Sequence, residues 1–324
     1  MKKTVVLVEC DPSEYFLRNL DPLRDVADFR ISTDPAFLTQ NAPDAEILLT
    51  IGMRSSAIRD IWARASRLRW IHSLSAGVEQ ILFPELAESS IPLTNARGVF
   101  KRSLAEFTVL GMLYFVKRVS LLLSQQRNHD WNQFMVDGLP GRKLGIIGYG
   151  EIGRECALLA KAFDVEILAL RRRPEMSNGD GLVDRSFAPQ QLHDLLRESD
   201  FVVAAAPLTP ETRHMISDAE FAAMKPTCVV INVGRGPVIH EEALVRALRE
   251  KKIAGAALDV FETEPLPAAS PLWDFPNVLI SPHCTDRTQD PDWLDLAMMR
   301  FVKNFHHFQA GEPLEFVVDK KAGY

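Results

Sequence analysis

"KLGIIGYGEIGREC", residues 143–156, decides how this chain is read. An apolar run breaks into G-x-G-x-x-G and continues as a helical pattern. Gly148 permits the tight turn, Gly150 lets another group approach the backbone closely, and Gly153 allows helix and strand to pack. A helix opening near Glu151 and Ile152 turns its unpaired N–H groups and positive end toward the turn, which suits a phosphate. A lone G-x-G-x-x-G is weak evidence. Here a strand precedes it, a helix follows, and a second strand, "VEILALR", ends about 20 residues on. The stretch predicts a dinucleotide-binding turn.

Working outward, "FVVAAAP", "CVVINVG", "AGAALDV" and "VLISPH" continue the series begun by "KLGIIGYG" and "VEILALR". Short, continuously apolar runs separated by helical patterns describe parallel strands buried on both faces. Together they predict an open doubly wound sheet. Upstream, "TVVLVE", "ADFRIS", "EILLTI" and "LRWIHSL" repeat the rhythm. Between the two series, one long helix is expected from about Ser103 to Asn128, apolar all round, serving as a scaffold or a dimer surface. "PDWLDLAMMRFVKNFHHFQAG" reads as a final amphipathic helix.

The second strand of the dinucleotide turn ends in three arginines, Arg171, Arg172 and Arg173. An acid at this place binds the ribose hydroxyls of NAD and repels the extra phosphate of NADP. Guanidinium groups stay charged and grip phosphate through paired hydrogen bonds. The bland reading is a solvated basic loop. The position favours NADPH, with NADH possible.

Polar residues stand where the later apolar runs end. Arg235 follows "VVINV", Asp259 and Glu264 follow "GAAL", and His283 follows "VLISP". Ligands of open α/β sheets bind beyond the carboxyl ends of the strands, so these side chains can converge. Arginine, glutamate and histidine together suit proton-coupled chemistry beside a carboxylate. Any one of them alone is more often structural.

These pieces, with "PLTPETRHMI", "MKPTCVVINVGRGPVIHEEALVRAL", "GAALDVFETEPLP" and "PLWDFPNVLISPH", resemble the D-isomer-specific 2-hydroxyacid dehydrogenases over nearly the whole chain. The resemblance is strongest from Leu144 to His283, and among subgroups it is greatest to the NADPH-dependent glyoxylate/hydroxypyruvate reductases. It implies an α/β protein of two domains. A Rossmann-type dinucleotide-binding domain, residues 99–287, is inserted in a flavodoxin-like substrate domain, residues 1–98 and 288–324. It also implies an active cleft between the domains and a homodimer. Arg235 resembles the arginine that holds the substrate carboxylate and polarises the 2-oxo group. His283 resembles the acid/base, and Glu264 the carboxylate that orients it. Ser75, Ala76, Gly77 and Val78 resemble the loop whose N–H groups bind the substrate carboxylate. Asp259 resembles the acceptor for the nicotinamide carboxamide. Pro207 and Thr212 resemble residues on the adenosine and pyrophosphate side, and Val233 completes the cofactor-binding set. The expected substrate is a small 2-oxo or 2-hydroxy acid.

Two departures from the family stand out. One is the arginine triplet. The other is "HCTDRTQD", where Cys284, Asp286 and Arg287 either line the substrate site or cap the last helix. Met53, Arg54 and Phe100 are candidates for shaping the pocket. Ala76 stands where a phosphite-oxidising member carries lysine, and little chain remains after about residue 310 for a regulatory domain. The contrasting reading is a corepressor-like protein that senses dinucleotide and turns over little; Arg235, Glu264 and His283 favour the enzyme.

Composition fits this picture. A chain of 324 residues exceeds what one hydrophobic core usually serves. A net charge of −6 without a basic face argues against nucleic acid as a partner. No apolar stretch approaches the roughly 20 residues that cross a bilayer, so no membrane is expected. "MKKTVVLVEC" resembles a short signal peptide, but Glu9 and Asp11 interrupt it, and it reads as a first buried strand. Cys10, Cys156, Cys228 and Cys284 form no CxxC pair, so no metal site is expected, and four free thiols suit the cytoplasm.

Overall fold

The computed structural model describes residues 3–51, 57–289 and 292–323. The chain divides into two compact units, Met1–Phe100 with Arg287–Tyr324, and Lys101–Asp286. Among the described residues each unit is built on one parallel sheet.

The first unit carries β1 (Thr4–Glu9), β2 (Ala27–Ser32), β3 (Ile47–Thr50), β4 (Trp70–Ser73) and β5 (Leu93–Asn95). Their order is β2-β1-β3-β4-β5, the flavodoxin-like winding. β3, β4 and β5 are buried along their whole length, their apolar residues together with the polar Thr50, His72, Ser73, Thr94 and Asn95 toward their ends. Leu7, Leu48, Ile71 and Leu93 share one core with Ile58 and Ile61 of the helix Ala57–Trp62. The last segment returns along the sheet edge, where Val318 N–H donates to Leu93 O at 2.8 Å. Lys320 Nζ then caps the carbonyls of Leu86, Ser89 and Ile91. β5 is only three residues long and escapes a periodicity reading.

The second unit carries β6 (Lys143–Ile147), β7 (Glu166–Leu170), β8 (Arg185–Phe187), β9 (Phe201–Ala204), β10 (Val229–Asn232), β11 (Gly255–Leu258) and β12 (Val278–Ile280). Their order is β12-β11-β10-β9-β6-β7-β8. The strand order reverses between β6 and β9, the switch point at which open sheets of this Rossmann type bind ligands. β8, another three-residue strand, extends the six expected runs at one edge.

The long helix expected from Ser103 to Asn128 is two helices, Lys101–Val116 and Val119–Asn128, bent by 63°. The first buries Leu104, Phe107, Gly111 and Met112, and Gly111 lies against Ala257 and Ile231 of the sheet. The second buries nothing within this chain. The break sits at Arg118, whose φ of 54° is left-handed. No glycine or proline marks it, so the periodicity runs through. Among the described residues, no single helix is long and apolar enough to cross a membrane.

Candidate active site

The glycine turn joins β6 to the helix Glu151–Lys161. Gly148 and Tyr149 donate their N–H groups to Leu170 O, at 3.0 and 3.2 Å, so the turn is tied to the end of β7. Gly148 has φ +95°, and a Cβ there would lie 2.5 Å from the Ala206 backbone. Only glycine meets both constraints. Gly150 is the N-cap, and the N–H groups of Glu151, Ile152 and Gly153 have no acceptor within the helix. A Cβ on Gly150 would meet nothing within 4 Å. The backbone donors therefore face open space, and the residues fit a dinucleotide pyrophosphate. The Glu151 side chain is turned to Lys101, at 3.5 Å.

Arg171 directly follows Leu170, whose carbonyl receives the turn. Its guanidinium lies 5.9 Å from the centre of the Tyr149 ring and 3.4 Å from Ser177 Oγ. The nearby acid, Asp180, accepts from Tyr149 Oη and Arg154 Nε, both at 3.0 Å. The end of β7 is thus basic. Arg172 and Arg173 are exposed. Thr212 Oγ1 donates to Pro207 O at 2.6 Å, and together they close the loop after β9. Val233 is buried, its N–H donating to Ala204 O, so it supports that loop from below.

The remaining candidates meet at the ends of β10, β11 and β12. Arg235 leaves β10 through a turn organised by buried Asn232, whose amide donates to Arg235 O at 3.1 Å and accepts from Gly234 N–H at 3.2 Å. Glu264 follows β11; its Oε1 accepts from Phe261 N–H at 2.9 Å, and its Oε2 lies 2.6 Å from His283 Nδ1. Both side chains are about one-third exposed, open enough for a small ligand. The bond to Glu264 raises the His283 pKa against the opposing effect of burial, and the charges of Glu264, Asp259 and Asp286 add to the rise. Burial resists ionisation of Glu264, but its bonds to His283 and Phe261 and the charge of Arg235 hold its pKa below the usual value. An ionised carboxylate therefore faces an imidazole that keeps its proton above the ordinary pH.

His283 is held in a left-handed conformation, φ 50°, by the residue beneath it. Asp259 is 1% exposed and its carbonyl accepts from His283 N–H at 2.9 Å. Its Oδ1 accepts from Ser281 Oγ (2.7 Å), Cys284 N–H (3.1 Å) and Thr285 N–H (3.3 Å), and its Oδ2 from Thr285 Oγ1 (2.6 Å). Four donors on one buried carboxylate brace the whole His283 loop. Ser103 Oγ donates to Thr285 O from the helix Lys101–Val116. Sequence reading missed Asn232, Ser281 and Thr285, although polar residues closing apolar strands were the available signal. The N-cap of the last helix, Trp293–Ala310, is Asp292, and Thr288 O of the "HCTDRTQD" stretch accepts from Trp293 N–H at 3.3 Å.

Ser75, Ala76, Gly77 and Val78 follow β4 in the first unit. Ser75 Oγ donates to Ile51 O and Asn95 Nδ2 to Ala76 O, each at 2.5 Å, and Val78 is buried. Phe100 is buried against Trp293, ring centroids 5.8 Å apart. Met53 and Arg54 lie outside the described residues.

The family profile described as D-isomer specific 2-hydroxyacid dehydrogenase, NAD binding domain, matches residues 109–285. A glyoxylate reductase of Aeropyrum pernix is 37% identical over 291 residues, 85% of this chain and 83% of that protein. The chain belongs to the D-isomer-specific 2-hydroxyacid dehydrogenases. Among solved structures of this family, a probable 2-hydroxyacid dehydrogenase of Rhizobium etli, in complex with NADP, HEPES and L(+)-tartaric acid, is 27% identical, with a TM-score of 0.84 over 100% of each chain. The NADPH-dependent glyoxylate/hydroxypyruvate reductase of Sinorhizobium meliloti, in complex with NADP and sulfate, is 25% identical, also with a TM-score of 0.84 over 100% of each. As a 2-hydroxyacid dehydrogenase, the chain is an oxidoreductase with an NAD-binding domain.

Proposed function

We propose that this dehydrogenase reduces small 2-oxo acids, glyoxylate and hydroxypyruvate among them, to 2-hydroxy acids with NADPH. The observation that carries the reading is the His283–Glu264 pair at 2.6 Å beside Arg235, at the strand ends of a dinucleotide-binding sheet. NADPH supplies a hydride to C2 when bound. Arg235 holds the substrate carboxylate and polarises the 2-oxo oxygen. With Nδ1 of His283 committed to Glu264, Nε2 is the nitrogen that gives a proton to that oxygen. One hydride and one proton reduce the carbonyl, and the imidazole regains its proton from solvent. Glu264 orients the ring and stabilises the imidazolium. Asp259 would be the acceptor for the nicotinamide carboxamide.

Preference for NADPH rests on Arg171 at the end of β7, where the nearby acid Asp180 is engaged by Tyr149 and Arg154. We further propose a homodimer. The helix Val119–Asn128 and the segment after it expose Leu122, Leu123, Trp131 (93%) and Met135 (87%), apolar side chains suited to burial in an interface. The free cysteines support a cytoplasmic location.

The test is steady-state oxidation of NADPH and NADH with glyoxylate, hydroxypyruvate and larger 2-oxo acids. Fast turnover with NADPH and the two small acids is expected. Faster turnover with NADH overturns the cofactor assignment. Tight NADPH binding without turnover on any acid overturns the enzymatic reading in favour of a sensor.

A further inference from the structure

Three side chains outside the catalytic set converge within the second unit. His214 lies on the loop after β9, His240 precedes the helix Glu241–Arg249, and Glu262 lies on the loop after β11. One ligand atom from each lies within 4.8 Å of the other two. The imidazoles are stacked, centroids 4.6 Å apart and planes 22° apart. Their loops are tied by backbone bonds: His214 N–H to Pro237 O (2.7 Å), Ile216 N–H to Val238 O (3.1 Å) and His240 N–H to Ile216 O (2.9 Å). The spacing of the two histidines is therefore set by the fold.

The group is poorly satisfied as it stands. His214 Nε2 is 3.0 Å from Glu262 Oε1, yet it is buried and makes no hydrogen bond, because the geometry between them is wrong for one. A buried ring nitrogen without a hydrogen bond needs a reason. The separation itself suits two ligands of one ion, since bonds of 2.0–2.1 Å at a tetrahedral angle place neighbouring ligands about 3.3 Å apart. The outer contacts are also those of a metal site. Ser217 Oγ lies 3.2 Å from His240 Nδ1, which leaves Nε2 as that ring's free ligand atom. Glu262 Oε1 accepts from Glu241 N–H at 2.8 Å, and Glu241 Oε2 accepts from Glu262 N–H at 3.2 Å, so two carboxylates border the group.

We propose that His214, His240 and Glu262 form a site for one divalent transition-metal ion of the zinc class. Two imidazole nitrogens and one carboxylate oxygen suit Zn²⁺ or Co²⁺ over Mg²⁺ or Ca²⁺, with water in the fourth position. The search for paired cysteines could not find it, because the ligands come from three loops and stand 26 and 22 positions apart in the chain. The ion would clamp the loop that runs from Glu262 into Glu264. It takes no part in the hydride reaction, and the site stands whether or not the proposed substrates are right.

The experiment is calorimetric titration of the full chain with Zn²⁺ near neutral pH, with the Co²⁺ visible spectrum as a second readout. Cys284→Ser removes the exposed thiol as a competing ligand. One equivalent should bind to wild type and to Cys284→Ser alike, with an intense tetrahedral Co²⁺ band. His214→Ala, His240→Ala and Glu262→Gln should each weaken binding by about tenfold or more. His240→Asn, which keeps a polar group beside Ser217, serves if the alanine variant folds poorly. Absence of binding at millimolar Zn²⁺, or binding that survives His240→Asn and disappears with Cys284→Ser, overturns the proposal.

Discussion

The glycine turn contains two positions that look alike in sequence and differ in space, which makes a sharp test. At Gly153 an added Cβ would lie 2.5 Å from Gly148 O and 2.8 Å from Ile146 Cγ2, where ordinary contact begins near 3.4 Å. The nearer atom is backbone and cannot swing aside, so the helix must back away from β6 by close to an ångström. Overpacking costs about 1–3 kcal/mol, and against a backbone atom that cannot yield the upper part of that range applies, about 2–3 kcal/mol. Alanine recovers up to about 1 kcal/mol through its better helix propensity, leaving Gly153→Ala destabilised by about 1–2 kcal/mol. At Gly150 a Cβ would meet nothing within 4 Å, and its φ of −103° with ψ of −152° is open to alanine. Gly150→Ala should therefore change stability by less than about 0.5 kcal/mol. It should nevertheless bind the dinucleotide poorly, because the new methyl stands where a pyrophosphate must approach. Losing one charge-assisted bond is worth about 1.5–3 kcal/mol, roughly ten- to hundredfold in Kd. Urea melts and fluorescence titration with NADPH separate the two effects. A Gly150→Ala protein with unchanged cofactor affinity, or a Gly153→Ala protein as stable as wild type, refutes the reasoning.

Other consequences can be checked directly. His283→Ala should lower turnover by about 10²–10⁴ while NADPH still binds; a near-normal rate removes His283 from the mechanism. Because Glu264 raises the His283 pKa, the protonated donor persists at low pH and is lost as pH rises through that raised value. The reductive rate should fall on the alkaline side, and in Glu264→Gln the fall should begin at lower pH; an unmoved profile would show that another group limits it. The same bond adds stability that is fully present below the ordinary histidine pKa and disappears as pH rises through the raised one. Replacing Arg171 and Arg172 by alanine should raise KM for NADPH far more than for NADH; equal losses would mean that the arginines serve only the fold. Thr285→Val removes one of four donors from buried Asp259, worth about 1.5–3 kcal/mol, and should lower the melting midpoint and turnover together. Turnover that holds while stability drops would uncouple the brace from His283.

Much of this molecule follows from local rules. Continuous apolar runs become buried parallel strands because both faces must be covered, and the spacing of Gly148, Gly150 and Gly153 writes the turn into the chain. Arg235, Glu264 and His283 were legible because each is a charged or polar residue within a few positions of the end of an apolar run. Other features depend on partners distant in sequence. The three-residue strands β5 and β8 exist only because longer neighbours pair with them. The bend at Arg118 arises where one helix is held against the sheet and the next is not, a difference of surroundings and not of composition. Asp259 becomes the brace of the His283 loop through donors 22 and 26 residues away. His214, His240 and Glu262 meet only because the sheet aligns the ends of strands that are far apart in the chain. The sequence alone determined which residues a site could use; tertiary structure decided which of them meet, because hydrogen bonds and ion pairs act over a few ångströms of space, whatever the distance along the chain.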